Sequence, residues 1–235
     1  MKKSKLLTLT LVTLLILPSA LSAQNQGRET RDVKGFTKIS YAISGNLKIN
    51  IGPEFKVVLE GDKGDLDEVI TDVSDGRLRI RLDNWRFRFN EKVNAYVTLP
   101  VLEGVSVSGS GKAEILDPVR DADDFSMNVS GSGDLIATEI VTDGLDCSIS
   151  GSGTLVISSG SADRGEISIS GSGNCTAPDF EIDKLQVRVS GSGSCLCKAG
   201  DSINASISGS GNVIYKGDPS VDARVSGSGR VRSAN

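Results

Sequence analysis

The chain has 235 residues, 27 of them glycine, with four cysteines, no histidine and a formal net charge of −4. The missing histidine excludes Ser-His-Asp triads, Cys-His dyads and imidazole-held metal sites built from this chain alone. The mildly acidic balance argues against general nucleic-acid binding.

Met1-Lys2-Lys3-Ser4-Lys5 leads into an apolar run from Leu6 to Pro18, and small residues follow up to Ser22-Ala23. A basic start, an apolar middle and a small-residue cleavage site predict a secretory signal peptide over 1–23. No cysteine stands near that site, so no lipid anchor is expected. Nothing later in the chain is long and apolar enough for a membrane-spanning helix. The mature chain is therefore expected to be exported, to the periplasm, the outer-membrane surface or the medium, without a transmembrane span. A polar leader (24–31) is followed by a single domain over 32–235. Its irregular β part covers 32–100 and its regular repeat part 101–235.

In the irregular part, one helical turn is expected near Asp65–Ile70. Residues 77–82 then alternate strictly, with Leu78, Ile80 and Leu82 on one face and Arg77, Arg79 and Arg81 on the other. The alternation restarts with Trp85, Phe87 and Phe89 opposite Arg86 and Arg88. Period-two patterning of this kind predicts strands with one buried face. The five arginines make a basic patch on an acidic chain. Arginine's planar fork binds carboxylate, sulfate or phosphate through two parallel hydrogen bonds. Arg77, Arg79, Arg81, Arg86 and Arg88 are thus the candidate ligand-binding residues, for an anionic glycan or another cell-surface component. The same charges would also protect exposed strands from edge-to-edge pairing.

From residue 101 onward the tetrapeptide Ser-Gly-Ser-Gly occurs seven times, starting at Ser108, Ser130, Ser150, Ser170, Ser190, Ser208 and Ser226. A fixed short period marks a repeat architecture. Apolar residues alternate on both sides of each motif. One, three and five residues before its first serine stand, for example, Ile149, Cys147 and Leu145. Five and seven residues after it stand Leu155 and Ile157. Between repeats lie turn-formers such as Asp143-Gly144, Pro178-Asp179 and Gly217-Asp218-Pro219,. Each repeat therefore reads as strand, glycine corner, strand, polar corner. One such repeat cannot bury its apolar face alone, but stacked repeats can, each adding about 4.8 Å along the axis. The expected fold is all-β: a right-handed parallel β-solenoid (β-helix) of about seven regular coils of 18–22 residues with an irregular N-terminal β region. The handedness follows from the general rule for parallel crossovers.

Both glycines of the motif share the parity of the buried positions, so they either turn a corner or permit close wall-to-wall approach. The serines point outward and would stack into two hydroxyl rows. The motif is no phosphate loop, because no Gly-Lys-Ser/Thr follows and no helix opens after it. It reads as corner chemistry, or as a flat stripe that docks a ligand or a second solenoid.

Cys175 and Cys195 share one column in successive coils, where neighbouring Cα atoms lie about 4.8 Å apart, inside the disulfide window. Packing as small apolar fillers and a Cys175–Cys195 bridge both fit that placement. Cys195-Leu196-Cys197 with Cys175 lacks the usual zinc spacing, and no metal or cofactor is expected. The acidic clusters Asp62, Asp65, Asp67, Glu68 and Asp121, Asp123, Asp124 lack calcium-loop spacing and read as solvated turns.

Several ordered segments carry a resemblance beyond the repeat. They are the run from Phe36 through Ser44-Gly45-Asn46 to Gly52, then Val57–Asp62, then Gly76–Ile80, then Val97–Leu102 leading into the first motif. Over about 33–230 the chain resembles the bacterial auto-transporter adhesin, head GIN domain family. Ser44-Gly45-Asn46 looks like a degenerate copy of the motif. The resemblance implies an exported β-helical protein named for adhesion; it supplies no catalytic or binding residues.

The expectation is a non-enzymatic cell-envelope protein, an adhesin or glycan-binding module presenting a flat solenoid face. The alternative is a structural or assembly protein of the periplasm or outer membrane. That role would act through self-association as a homo-oligomer, or through a membrane partner. A glycan-cleaving enzyme ranks last, because no long loops build a cleft around paired acid–base groups.

Overall fold

The computed structural model describes residues 26–83, 92–120 and 122–234. The N-terminal part holds β1 (Gln26–Arg31), β2 (Lys38–Ala42), β3 (Asn46–Ile51), β4 (Lys56–Asp62), α1 (Lys63–Asp67), β5 (Val69–Ser74), β6 (Arg77–Leu82) and β7 (Asn94–Leu99). The repeats begin with β8 (Gly104–Gly109), β9 (Lys112–Ile115), β10 (Asp124–Gly131), β11 (Asp134–Ala137), β12 (Ile140–Gly151) and β13 (Thr154–Ile157). They continue as β14 (Gly160–Gly171), β15 (Asn174–Gly191), β16 (Ser194–Gly209), β17 (Asn212–Lys216), β18 (Ser220–Gly227) and β19 (Arg230–Ser233).

Most of these strands stack as a parallel β-solenoid, with one coil per motif from β8 onward. The first wall runs β6, β2, β8, β10, β12, β14, β15, β16, β18, every pair parallel. The second wall runs β7, β3, β9, β11, β13, β15, β16, β17, β19, again all parallel. A short third wall forms in the middle coils, where Ile140–Thr142, Gly160–Ala162 and Phe180–Ile182 stack in register. Thr142, buried there, donates its hydroxyl to carbonyls of the coil beneath, Ala122 at 2.8 Å and Asp123 at 2.9 Å.

The alternating apolar columns fill the space between the walls. Ile149, Ile169, Val189 and Ile207 are each at most 2% exposed, as are Leu155, Cys175, Cys195 and Val213 across from them. Burying a branched side chain of this size contributes about 1.5–3 kcal/mol, and each column repeats the contribution once per coil. This is how short strands without helices make one continuous core.

The corners are built by the two glycines of each motif. Gly171 has φ of +115°, a conformation L side chains avoid,. A Cβ there would stand 2.5 Å from the Gly151 carbonyl oxygen of the coil beneath. Gly173 turns inward, where a Cβ would stand 2.7 Å from the Gly153 carbonyl oxygen and overlap Ile149. Backbone bonds tie the same corners together, Ser172 N donating to Gly151 O and Asn174 N to Gly153 O. The serines between them are exposed.

The N-terminal part departs from the sequence expectation in one respect. Residues 32–100 are not merely irregular: β2–β3 and β6–β7 are coils of the same stack, but out of chain order. The β2–β3 coil lies between β6–β7 on one side and β8–β9 on the other. Its corner is Ser44-Gly45, with Gly45 at φ +142°. Between these coils the chain leaves the stack to build a cap. There β5 pairs antiparallel with β6, β4 with β7, and β1 with β4. The one helical turn is α1, capped by the Asp62 carboxylate, which accepts from Gly64 N at 2.8 Å. Residues 26–31, read from sequence as part of a polar leader, form the edge strand β1. Their sequence has no apolar residue to reveal it; β1 is held by its ladder to β4 and by Arg31, which donates to Leu66 O at 2.9 Å.

Candidate binding face

Because the pairings of the first wall keep one register, its outward side chains form straight columns. The first reads Arg77, Lys38, Gly104, Ser126, Asp146, Glu166, Gln186, Asn204, Asp222. The second reads Arg79, Ser40, Ser106, Asn128, Ser148, Ser168, Arg188, Ser206, Arg224. The third begins with Arg81 and Ala42 and continues as the first serine of every motif. Nine strands at about 4.8 Å spacing make a face roughly 38 Å long.

A groove of about 750 Å³ runs along this face, from Lys38 and Glu103 at one end to Ser220 and Asp222 at the other. Its volume lies within the range of ligand sites, about 300–1,000 Å³. Glycine shapes it: Arg164 pairs with Asp124, two coils away, at 2.6 Å, passing directly over Gly144. A Cβ at Gly144 would overlap both partners. Arg188 pairs with Glu166 beside it. Asp146 stands directly across from Glu166. Partial burial in the groove, which strips water from the carboxylate, and then the Glu166 charge hold the Asp146 carboxyl above the usual carboxylate range. Gln186 and Asn204 add amide donors and acceptors to the same wall,. The arrangement offers carboxylate, amide, hydroxyl and cationic groups at one coil's spacing, suited to many parallel hydrogen bonds.

The structure joins two features that the sequence presented separately. Arg77, Arg79 and Arg81 head the three columns that continue into the serine rows. They are not equally available. Arg79 and Arg81 both reach Asp72 on β5, at 3.7 and 3.4 Å. Arg77 lies beside Lys38 in the ladder, and among the described residues it makes no ion pair. Arg86 and Arg88 lie outside the described residues. The acidic and amide lining was missed because the sequence reading tabulated inward positions; counting the outward positions four and two residues before each motif finds it.

Cys175 and Cys195 stand directly opposite each other, as the column predicted. All four cysteines are buried and free in this structure, where the thiols pack among the core side chains. Hydrogen bonds with Cys175 and Cys197, then burial, push the Cys195 thiol well up; burial does the same to Cys147. No helix among the described residues is long and apolar enough to cross a membrane.

Comparison with known proteins agrees with this geometry. The family described as "Putative auto-transporter adhesin, head GIN domain" matches residues 35–219. No curated protein sequence matches the chain. Among solved structures, an adhesin-like protein of Bacteroides fragilis superposes with a TM-score of 0.84. It is 23% identical and covers 90% of this chain and 98% of its own. A protein of Parabacteroides distasonis described as lipid binding superposes with a TM-score of 0.74 at 23% identity, covering 91% and 98%. An adhesin-like protein of Parabacteroides merdae gives 0.73 at 21% identity, with the same coverage. At these identities the likeness carries the fold. The chain belongs to the head GIN domain family.

Proposed function

We propose that this head GIN domain is a non-enzymatic, exported module of the cell envelope that binds an extended glycan along the groove of its first wall. The observation that carries the reading is the groove itself, one continuous channel crossing the strands from Lys38 to Asp222, with charged and amide side chains standing along an apolar floor that includes Phe125, Leu145, Leu185 and Ile203. Its lining offers one polar side chain per coil, at a spacing close to the length of one sugar ring, so a chain lying along the axis meets a hydrogen-bonding group at each step. Asp146, Glu166, Gln186 and Asn204 have the planar polar groups that hold hydroxyls. Arg77 and Lys38 at one end suit an acidic substituent. The family's adhesin name supports a role in binding surface components.

The test is a glycan array with the purified chain at low and moderate salt. Beside it stand a groove variant (Gln186→Ala with Asn204→Ala) and an arginine variant (Arg77→Ser, Arg79→Ser and Arg81→Ser together). The expected result is binding lost in the groove variant, and salt sensitivity lost in the arginine variant. Absence of binding, or binding indifferent to both variants, overturns the proposal.

A further inference from the structure

The two ends of the solenoid are not alike. At one end, β1, β4 and β5 with α1 close the stack by antiparallel pairing. At the other end, β18 pairs with β16 on its inner side, and among the described residues nothing covers its outer side. Its core-facing residues are left open. Val221 is 43% and Val225 45% exposed, while Ile203 and Ile207 in the same columns one coil below are each 1% exposed.

The sequence of this edge is self-complementary. Ser220-Val221-Asp222-Ala223-Arg224-Val225-Ser226 reads the same in both directions about Ala223, except that Asp222 exchanges with Arg224. Laid antiparallel against its own copy with Ala223 at the centre, Asp222 faces Arg224 of the copy twice over, and Val221 faces Val225. Any slip by two residues sets Asp222 against Asp222 or Arg224 against Arg224, and like charges directly opposite destabilise a strand pair. Charges on an edge strand usually deter pairing. Here their opposite signs, at equal distances from one centre, permit a single register. Among the described residues of the single chain, the two charges pair with each other at 3.5 Å, and Asp222 accepts from the Asn204 amide.

We propose that the outer edge of β18 is a self-recognition site, at which two copies of this chain join across a two-fold axis into a closed dimer. The contact is isologous, each copy using the same edge on the other, so association through it stops at two. In the dimer the first walls of both copies form one continuous sheet, and Val221, Ala223 and Val225 of each copy abut those of the other. The inference is independent of glycan binding.

Sedimentation equilibrium of the purified chain over the micromolar range tests it. The expected result is a dimer. Asp222→Arg alone, or Arg224→Asp alone, weakens it about tenfold or more, and the double exchange restores it. Both residues are exposed, so circular dichroism should show each variant folded. A second measurement uses Ala223→Cys, which places two thiols on the axis with Cα atoms about 4.5–5.5 Å apart, inside the disulfide window. Mild oxidation should yield a covalent dimer, since the native cysteines are buried. A monomer at all concentrations, a dimer indifferent to the single exchanges, or an assembly larger than two overturns the proposal.

Discussion

Substituting alanine for one motif glycine should destabilise this chain by an amount set by two separable causes. At Gly171 both act: φ is +115°, and a Cβ would stand 2.5 Å from the carbonyl oxygen of Gly151, backbone that cannot swing aside. A positive φ costs an L residue about 1–2 kcal/mol, and forcing atoms into a packed site adds about 1–3 kcal/mol. Gly171→Ala should therefore lose about 3 kcal/mol, a fall in Tm of roughly 6–12 °C for a domain of this size. Neighbouring positions isolate the parts. Gly109 has φ of +88° but nothing within 4 Å of its Cβ position, so Gly109→Ala shows the backbone cost alone. Gly173 has no positive φ but meets Gly153 O at 2.7 Å, so Gly173→Ala shows the contact cost alone. Ser172 is exposed between them, and Ser172→Ala should stay within about 0.5 kcal/mol,. Urea and thermal unfolding followed by circular dichroism would read all four. If Gly109→Ala lost as much as Gly171→Ala, stacking contact would contribute nothing. If Gly171→Ala matched Ser172→Ala, the corner argument would fail entirely.

Three further outcomes follow from the side chains. Asp146→Asn should raise stability by up to about 1 kcal/mol at neutral pH, because it removes one of two facing carboxylates,. The folded-state pKa of Asp146 lies above its ordinary value, so the native state binds the proton more tightly. The gain must shrink as pH falls and Asp146 protonates, and a gain that grew toward acid pH would contradict this. The four buried thiols should resist an aromatic disulfide reagent near pH 8 until denaturant is added, and rapid labelling of the native chain would contradict their placement,. Tyr41 is buried, with its hydroxyl donating to Val93 O at 3.2 Å. Tyr41→Phe orphans that carbonyl and should cost about 1–2 kcal/mol in urea unfolding; an unchanged midpoint would show the bond contributes nothing.

What could be read in advance depended on whether a feature repeats. The columns through Cys147, Ile149 and Leu155 recur every 18–22 residues, so alternation and period together located both walls and the glycine corners. The N-terminal coils lack that support. Ser44-Gly45 is a true corner, yet its next copy in the stack is Ser110-Gly111 on one side and, on the other, the strand pair that starts at Arg77. Chain order and stack order separate there, because β4, α1 and β5 intervene. Periodicity measures neighbours in sequence and has no view of a coil inserted between two later ones. β1 escaped for a simpler reason: Gln26–Arg31 pairs through its backbone, which leaves no trace in side-chain polarity.

The outer face of the first wall obeys the same logic in reverse. A repeat constrains inward positions to be apolar and leaves outward ones free, so variation there carries the chemistry. Along the first column serine, two carboxylates, two amides and a third carboxylate succeed one another from Ser126 to Asp222, while the inward column one residue on stays apolar from Met127 to Ala223. The fold needs none of those polar identities. A scaffold with interchangeable coils can write a different group at each step of one long groove, with arginines heading its columns at the capped end.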